Sequence, residues 1–352
     1  MKYLHNYVSE QIEQSGFVSF SRFYPEQLQV YQADAMSRAM SKSTAGMYLG
    51  FTMTGNKIEM KLKKENRLKL ILPIVRQVKL RSITKMMKKI VKKELPKRRK
   101  KSVIDGIDIV VNSIHMKTIK AKNGKLRIKI KNPNHETKEV RIYFPTIEGI
   151  SVKDITILGE VSQLPERKRM LCLGDSITQG MISGGPSLNY VALLADYLQM
   201  DALNQGVGGY HFCKDSLNGL EKLEQPNLIT VAYGTNDWAA KPDITTIAND
   251  IEDYFAKLYG LFSQVMIFVI TPIWRADYEE PVPCQEPIEK IAQIIHEVCK
   301  KYPNIYVIDG ETLIDHDESR FADSFLHPNS TGFAQMARKL AACIEEKMKE
   351  KA

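Results

Sequence analysis

The spacing of apolar and polar residues changes about halfway along the chain. Before residue 165, short stretches such as NKIEMKLK and GKLRIKIKN alternate apolar with polar residues, and turn-forming Gly and Asn residues separate them. Such alternation is typical of strands with one buried and one solvated face. Several such strands predict an antiparallel β-sandwich, jelly-roll-like, over residues 1–165. A helix over residues 26–40 is expected to pack on it.

From residue 166 onward, short apolar strands alternate with helical stretches. The strands are MLCLGD, ALNQGV, LITVAYG, VMIFVITP and IYVIDG, and helices are predicted at 188–200, 244–259, 287–301 and 331–349. This alternation indicates parallel βαβ units with helices on both faces of the sheet. We therefore predict a three-layer α/β/α domain over residues 166–352, with the polar stretch VSQLPERKR as the linker before it.

Composition narrows the class of protein. The chain has 352 residues, of which 43% are hydrophobic and 26% charged, and these values exclude a mainly disordered or collagen-like protein. The five cysteines form no CxxC pair, so neither a disulfide framework nor a structural zinc site is expected. The N-terminus lacks the apolar segment of a secretory signal, and no apolar stretch reaches membrane-spanning length. The predicted location is the cytoplasm.

The net charge of +9 is concentrated in one segment. Positions 57–101 contain 19 Lys or Arg residues and 3 Glu, and the densest part begins at Lys85 and ends at Lys101. Apolar residues recur there at helical spacing, so a basic amphipathic helix is expected within an insertion near residues 82–101. The segment could be a solvated insertion, a contact for an anionic surface, or a nucleic-acid-binding element. Positions 57–101 contain no aromatic residue on which bases could stack, which disfavours nucleic acid.

Residues that could take part in catalysis directly follow the predicted parallel strands, at the end of the sheet where ligands bind in open α/β folds. Ser176, in GDSIT, leaves the first strand at a glycine turn and is well placed as an exposed nucleophile. Gly209 ends NQGVGG, where closely spaced glycines let a backbone N–H point at an oxyanion. Asn236, in GTND, can supply a side-chain donor. His327, in a loop before the last helix, can act as general base to Ser176.

Each of these residues also has a purely structural interpretation. Ser176 and Asn236 could cap helices, Gly209 could be a turn residue, and His327 could be a surface histidine. The four blocks together, in this order, resemble the SGNH/GDSL hydrolase superfamily, which is named for Ser, Gly, Asn and His. The resemblance covers about residues 168–350. It implies a flavodoxin-like fold and ester hydrolysis without a metal or another cofactor.

The resemblance also implies a role for each residue. Ser176 would be the nucleophile, and its backbone N–H would donate to the oxyanion together with the N–H of Gly209 and the side-chain amide of Asn236. His327 would be the base and then the acid toward the leaving alcohol. Asp175 and Asp237 would hold the surrounding loops.

One position departs from the family pattern. The family usually has an Asp three residues before the His, but Ser324 occupies that position here and Asp323 lies four residues before His327. We expect the loop to bulge so that the Asp323 carboxylate orients the imidazole. The alternative is a Ser–His dyad oriented by a backbone carbonyl.

The order of the two predicted domains suggests a substrate class. A β-sandwich before an SGNH domain resembles two-domain carbohydrate esterases that remove acetyl groups from plant polysaccharides. The expected substrate is a saccharide that carries a small acyl ester, and we rank an acetyl group above a long acyl chain. Candidate substrate contacts are Tyr210, Trp238, Trp274 and Arg275.

Structural interpretations of three of these residues stay open, because either Trp could close the core and Arg275 could pair with Asp277 or Glu279. Two other functions also stay open. One is a lysophospholipase or thioesterase that docks on a membrane through the basic segment. The other is a non-catalytic glycan- or surface-binding protein. The sequence leaves the oligomeric state undetermined.

Overall fold

The computed structural model describes residues 1–65 and 105–351. The predicted basic helix that begins at Lys85 and ends at Lys101 lies outside the described residues.

The N-terminal part of the chain consists of two antiparallel sheets. One sheet has the strand order β1-β4-β9-β6-β7, with β11 also paired to β4, and the other has the order β2-β3-β10-β5-β8. Side chains of both sheets, including Phe51 and Met60, form one buried apolar core, which confirms the predicted sandwich. The strands are β1 Leu4–His5, β2 Ser9–Ile12, β3 Val18–Ser21, β4 Tyr48–Met53, β5 Lys57–Glu65, β6 Ile107–Val111, β7 Ile114–Ile119, β8 Gly124–Lys129, β9 Lys138–Tyr143, β10 Gly149–Ile157 and β11 Val161–Gln163.

The helix predicted over residues 26–40 is in fact two short helices, α1 (Pro25–Val30) and α2 (Ala35–Ser41). The break occurs at Asp34, whose backbone is extended and whose carboxylate accepts hydrogen bonds from the N–H groups of Met36 and Ser37. A side chain that caps the first turn in this way starts a new helix. The single-helix prediction was therefore wrong at this position.

The C-terminal part has five parallel strands in the order β13-β12-β14-β15-β16. This is the flavodoxin-like order, in which ligands bind where the strand order reverses, beside β12. Leu171 and Leu173 of β12 face one apolar core and Met170 and Cys172 face the other, which explains why the strand is apolar without interruption over residues 170–173. The strands are β12 Lys168–Gly174, β13 Met200–Gly206, β14 Leu228–Ala232, β15 Met266–Ile270 and β16 Ile305–Ile308.

Helices cover both faces of this sheet, as predicted. The apolar residues of α6 and α7 lie in one core, and those of α4 and α8 lie in the other. No helix within the described ranges combines the length and the apolar character needed to cross a membrane. The helices are α3 Ser176–Gln179, α4 Tyr190–Tyr197, α5 Thr235–Ala240, α6 Ile244–Phe262, α7 Ile288–Cys299 and α8 Ser330–Lys351.

The N-terminal helices pack against the parallel sheet. Tyr31 and Met40 share a core with Val207 and Tyr210, which follow β13 directly. The N-terminal part therefore contacts the sheet at the carboxyl end of a strand, where ligands bind in this fold.

Candidate active site

Ser176 is the first residue of α3 and follows β12 by one residue. Asp175 caps the helix, because its Oδ1 accepts the N–H of Ile177 at 2.9 Å. The turn is tight at Gly174, where a Cβ would lie 2.0 Å from Oγ1 of Thr178. Only glycine fits there, so the local sequence explains how Ser176 is presented at the end of the strand.

The imidazole of His327 lies beside this serine. Its Nε2 is 2.8 Å from Oγ of Ser176, although the two residues are 151 positions apart in the sequence. The loop that carries His327 is a narrow hairpin in which Phe321 bridges to Pro328 and the N–H of Ala322 donates to the carbonyl of His327 at 2.7 Å. Serine and histidine are thus within the reach that general-base activation needs.

Asp323 contacts the other ring nitrogen of the histidine. Its Oδ2 is 2.6 Å from Nδ1 of His327, and its Oδ1 accepts the N–H groups of Phe325, Leu326 and His327. Burial opposes ionisation, but the hydrogen bond and charge of His327 and the backbone N–H groups outweigh it and lower the pKa of Asp323. Ser324 takes the extra position with a φ of +70°. The structure therefore has the bulged loop in which the four-residue spacing still joins carboxylate and imidazole.

The backbone N–H groups at the site differ in whether they have a hydrogen-bond acceptor. The N–H of Gly208 donates to Oε1 of Gln179 at 2.7 Å. The N–H groups of Ser176 and Gly209 donate to no acceptor within residues 1–65 and 105–351. Gly209 is exposed and has a φ of +79°, which glycine adopts without strain. Two backbone donors are therefore free to bind an oxyanion.

Asn236 lies in the first turn of α5. Its Nδ2 donates to the carbonyl of Tyr210 at 2.8 Å and lies 3.3 Å from Oδ2 of Asp175. The amide nitrogen is thus between the loop of Gly209 and the cap of the nucleophile helix. The contact to Asp175 is the longer and weaker of the two, so a substrate oxygen near Nδ2 would compete with it rather than with the bond to Tyr210.

The two aspartates of the motifs hold the loops, as expected. Burial raises the pKa of Asp175 to about 7, although the N–H of Ile177 and the charge of His327 oppose the increase. Asp237 is fully buried, accepts the N–H of Phe212 and binds Nζ of Lys241 at 2.7 Å.

Two predicted substrate contacts are core residues. Tyr210 is 7% exposed and packs edge-on against Tyr31, with ring centroids 4.8 Å apart. Trp238 is 2% exposed, and its indole N–H donates to the carbonyl of Glu286 at 2.7 Å. Rings enclosed in this way offer no face to a sugar. The interpretation of these two residues as a substrate surface is therefore corrected to packing.

The loop after β15 carries the other two candidates. Arg275 is buried, binds the carboxylate of Asp277 with two bonds of 2.6 and 2.9 Å, and donates to Thr235, so it has the structural role that was left open. Trp274 is only partly buried and stacks on His316 with an interplanar angle of 12°. The N–H of Ala276 donates to Phe325, which joins this loop to that of His327. Trp274 remains the aromatic candidate for substrate contact.

Sequence reasoning missed two residues beside the site. Gln179 accepts the Gly208 N–H. Met36 of α2 lies so close to Gly209 that a Cβ there would be 3.4 Å from its Sδ. Gln179 directly follows the recognised GDSIT block, whereas Met36 gave no signal, because its contact depends on how the N-terminal part packs.

Comparisons with known proteins bear on the family of the C-terminal part and on the fold. Residues 172–335 match the model of the GDSL-like lipase/acylhydrolase family. No curated protein sequence matches the chain. Three solved structures are similar along nearly their whole length, and at these identities the similarity shows the fold.

The first is the salicylyl-acyltransferase SsfX3 from a tetracycline biosynthetic pathway (TM-score 0.71, 14% identity, 97% of this chain and 94% of that chain). The second is a family two carbohydrate esterase from Cellvibrio japonicus (0.63, 16%, 99% and 96%). The third is the acetyl xylan esterase Est2A from the rumen bacterium Butyrivibrio proteoclasticus (0.57, 13%, 99% and 96%). The chain therefore carries a GDSL-like lipase/acylhydrolase domain over residues 172–335.

Proposed function

We propose that the chain hydrolyses small acyl esters, with acetyl esters of saccharides as the favoured substrates, through Ser176, His327 and Asp323. The observation that carries this proposal is the continuous contact from Ser176 Oγ to His327 Nε2 (2.8 Å) and from His327 Nδ1 to Asp323 Oδ2 (2.6 Å). The imidazole accepts the serine proton while Oγ attacks the ester carbon. It then gives the proton to the leaving alcohol, and water releases the acyl group by the same steps.

The oxyanion that forms during each attack needs donors in fixed positions. The backbone N–H groups of Ser176 and Gly209 have no other acceptor in the described ranges, and the amide of Asn236 lies next to both loops. We assign these three groups to the oxyanion hole. The two backbone donors are already oriented and stabilise the developing charge without reorganisation, whereas the amide of Asn236 exchanges its long contact with Asp175 for the oxyanion.

The proposed substrate class rests on the fold and on one aromatic side chain. Two of the similar structures are a family two carbohydrate esterase and an acetyl xylan esterase. Trp274 presents a partly exposed ring on a loop that is bonded to the His327 loop. One face of this ring stacks on His316, and the part that stays exposed is the surface that we propose for contact with a sugar ring.

A second acyl acceptor deserves a direct test, because the similar structures also include a salicylyl-acyltransferase. Hydrolysis and acyl transfer share the same acyl-enzyme and differ only in the group that attacks it. Partition between water and an added acceptor alcohol, measured as ester product formed per acid released, separates the two.

The decisive experiment compares hydrolysis of p-nitrophenyl acetate by the wild type, Ser176→Ala and Ser183→Ala. Ser183 is a buried serine of the next loop that donates to Gly185, so it is a matched control. We expect kcat to fall by at least about 10³-fold in Ser176→Ala and to stay within a few-fold in the control. Equal rates in the wild type and Ser176→Ala would refute a serine esterase.

Substrate preference is tested next with acetylated xylan and mannan oligosaccharides. Faster cleavage of p-nitrophenyl palmitate than of the acetate would overturn the proposed acyl size and favour the lysophospholipase alternative. If the wild-type protein binds these glycans but hydrolyses none of the esters, the non-catalytic alternative is favoured.

A further inference from the structure

The loop that ends in Gly209 is held by a buried polar side chain. Oε1 of Gln179 accepts the N–H of Gly208 at 2.7 Å, and Nε2 of the same side chain donates to the carbonyl of Thr146 at 2.7 Å and to Oγ of Ser43 at 3.1 Å. Gln179 is buried and is the last residue of α3, the helix that begins with Ser176. One amide thus joins the nucleophile helix, the glycine loop and the N-terminal part.

The N-terminal side of this junction is itself fixed by Arg22, which is 0% exposed. Burial lowers the pKa of Arg22 to about 9, so the guanidinium is still charged at neutral pH. All five of its N–H donors have acceptors, and none is a carboxylate. The acceptors are the carbonyl oxygens of Met40, Ser43, Asn204 and Gly206 and the hydroxyl of Ser43.

These bonds connect two regions that meet at Gly209. Ser43 is held by Arg22 and in turn accepts from Gln179, and Gly206 is the last residue of β13 before the glycine loop. The guanidinium of Arg22 therefore binds the end of β13 directly and holds Gln179 through Ser43.

The geometry around Gly209 explains why such support matters. Gly208 and Gly209 have wide backbone freedom, so the peptide plane that carries the N–H of Gly209 can rotate unless both sides are held. On one side the N–H of Gly208 is held by Gln179, and on the other the N–H of Tyr210 donates to Val207 at 3.0 Å. These bonds leave the N–H of Gly209 as the free donor between them.

We propose that Gln179 is a positioning residue of the oxyanion hole and that Arg22, with Ser43 and Thr146, anchors it from the N-terminal part. This proposal rests on the proposed esterase function. It assigns the β-sandwich part a role in the reaction itself, because its backbone and side chains fix the loop whose N–H receives the developing charge.

The test uses two Gln179 variants of the full chain whose defects differ. Gln179→Met has a similar size but no acceptor for the Gly208 N–H. Gln179→Glu keeps that acceptor oxygen but buries a carboxylate next to the carbonyl of Thr146. We therefore expect the larger loss of thermal stability in Gln179→Glu and the larger loss of kcat in Gln179→Met, about 10- to 100-fold at a KM within about twofold.

A merely structural role would not produce these opposite orders, because kcat would then follow stability in both variants, and that result would overturn the proposal. The matched control is Gln27→Met. Gln27 is also buried and also joins the two parts, through bonds to Gln205 and Ser216, but it does not bind the glycine loop backbone. We expect it to lose stability and keep its kcat.

If Gln179→Glu fails to fold, the comparison of the two Met variants decides. A kcat loss in Gln179→Met alone supports the proposal, and equal kcat values in both overturn it. Affinity for a boronic acid, which adds to the serine as a tetrahedral anion, should weaken in parallel with kcat. The Ser176→Ala experiment tests the esterase function separately, so a failure of one proposal is distinguishable from a failure of the other.

Discussion

Asp323 binds His327 at two points: Oδ2 is 2.6 Å from the ring nitrogen Nδ1, and Oδ1 accepts the backbone N–H of the same residue at 3.0 Å. One carboxylate therefore fixes both the loop and the orientation of the imidazole. The spacing of four residues requires an extra residue between them, and Ser324 supplies it in a left-handed conformation, with a φ of +70°.

The two functions of this carboxylate can be separated by substitution. Asp323→Asn keeps an oxygen for the backbone N–H groups but replaces the acceptor at Nδ1 by a donor, so the imidazole takes the wrong tautomer. We expect kcat to fall on the order of 10³- to 10⁴-fold in both Asp323→Asn and Asp323→Ala. Only the Ala variant should also lose about 1–3 kcal/mol of unfolding free energy, because three N–H groups lose their acceptor. Near-normal kcat in Asp323→Asn would support the Ser–His dyad instead.

The conformation of Ser324 makes a second prediction. A left-handed backbone costs a residue with a Cβ about 1–2 kcal/mol and costs glycine nothing. We expect Ser324→Gly to keep kcat and to be at least as stable as the wild type in urea unfolding. Ser324→Val should be destabilised by about 1–2 kcal/mol and should lose activity, because a β-branched residue strains the loop that holds His327. Equal stability of the two variants would argue against a left-handed backbone at position 324.

The contrast between residues that the sequence predicted and those it missed has a physical cause. Ser176 and Asn236 directly follow strands of a parallel sheet, whose carboxyl ends meet at one edge, so the motif order was enough to bring them together. Trp238 is also next to a motif, but sequence adjacency does not tell which face of α5 is buried. Arg22 contacts Asn204, 182 positions away, and no local pattern reports such a contact.

The N-terminal elements show the same limit. Strands β1 to β3 have two to four residues, too few for a periodic pattern, and β2 is exposed at every position. The break between α1 and α2 did have a local signal, since Asp34 is a common helix cap. The helical spacing on either side of it outweighed that signal.

The side chain of Asn236 can be tested as an oxyanion donor. Asn236→Ala should lower kcat about 10²- to 10³-fold with little change in KM, because the amide is needed only as charge develops. A matched control is Asn304→Ala, which likewise loses two hydrogen bonds donated by a side-chain amide, in this case to the backbone carbonyls of Phe262 and Val265. The control should lose stability and keep kcat. A parallel rise in KM for Asn236→Ala would show instead that the amide binds substrate in the ground state.

The raised pKa of the Asp175 carboxyl group predicts how the unfolding free energy depends on pH. Burial raises its pKa to about 7, whereas the carboxyl group has a pKa of about 3.9 in the unfolded chain. Between these values the folded protein holds a proton that the unfolded chain has released, so the contribution of Asp175 to stability is present below about pH 4 and is lost as the pH rises toward 7. Asp175→Asn should therefore show a smaller decline in unfolding free energy from pH 5 to pH 7. The unfolding free energy is measured by urea unfolding at both pH values. An equal decline in the wild type and Asp175→Asn would show that the carboxyl group of Asp175 is already ionised at pH 5.

Arg22 is predicted to be essential to the junction between the two parts. Arg22→Met leaves the buried carbonyl groups that it binds without a donor, and each unpaired buried acceptor costs about 1–3 kcal/mol. We expect the variant to lose at least about 3 kcal/mol of unfolding free energy. Arg22→Lys should recover part of it, since an ammonium group supplies three donors in place of five.

The control for Arg22 is an arginine whose partner is at the surface. Arg169 pairs with Glu224 at 3.3 Å in an exposed position, so Arg169→Met should change the unfolding free energy by less than about 1 kcal/mol. Because Arg22 binds Asn204 and Gly206 on the strand that enters the Gly209 loop, kcat per folded molecule should also fall in Arg22→Lys. A variant that is destabilised but fully active per folded molecule would show that the guanidinium stabilises the junction without fixing the loop.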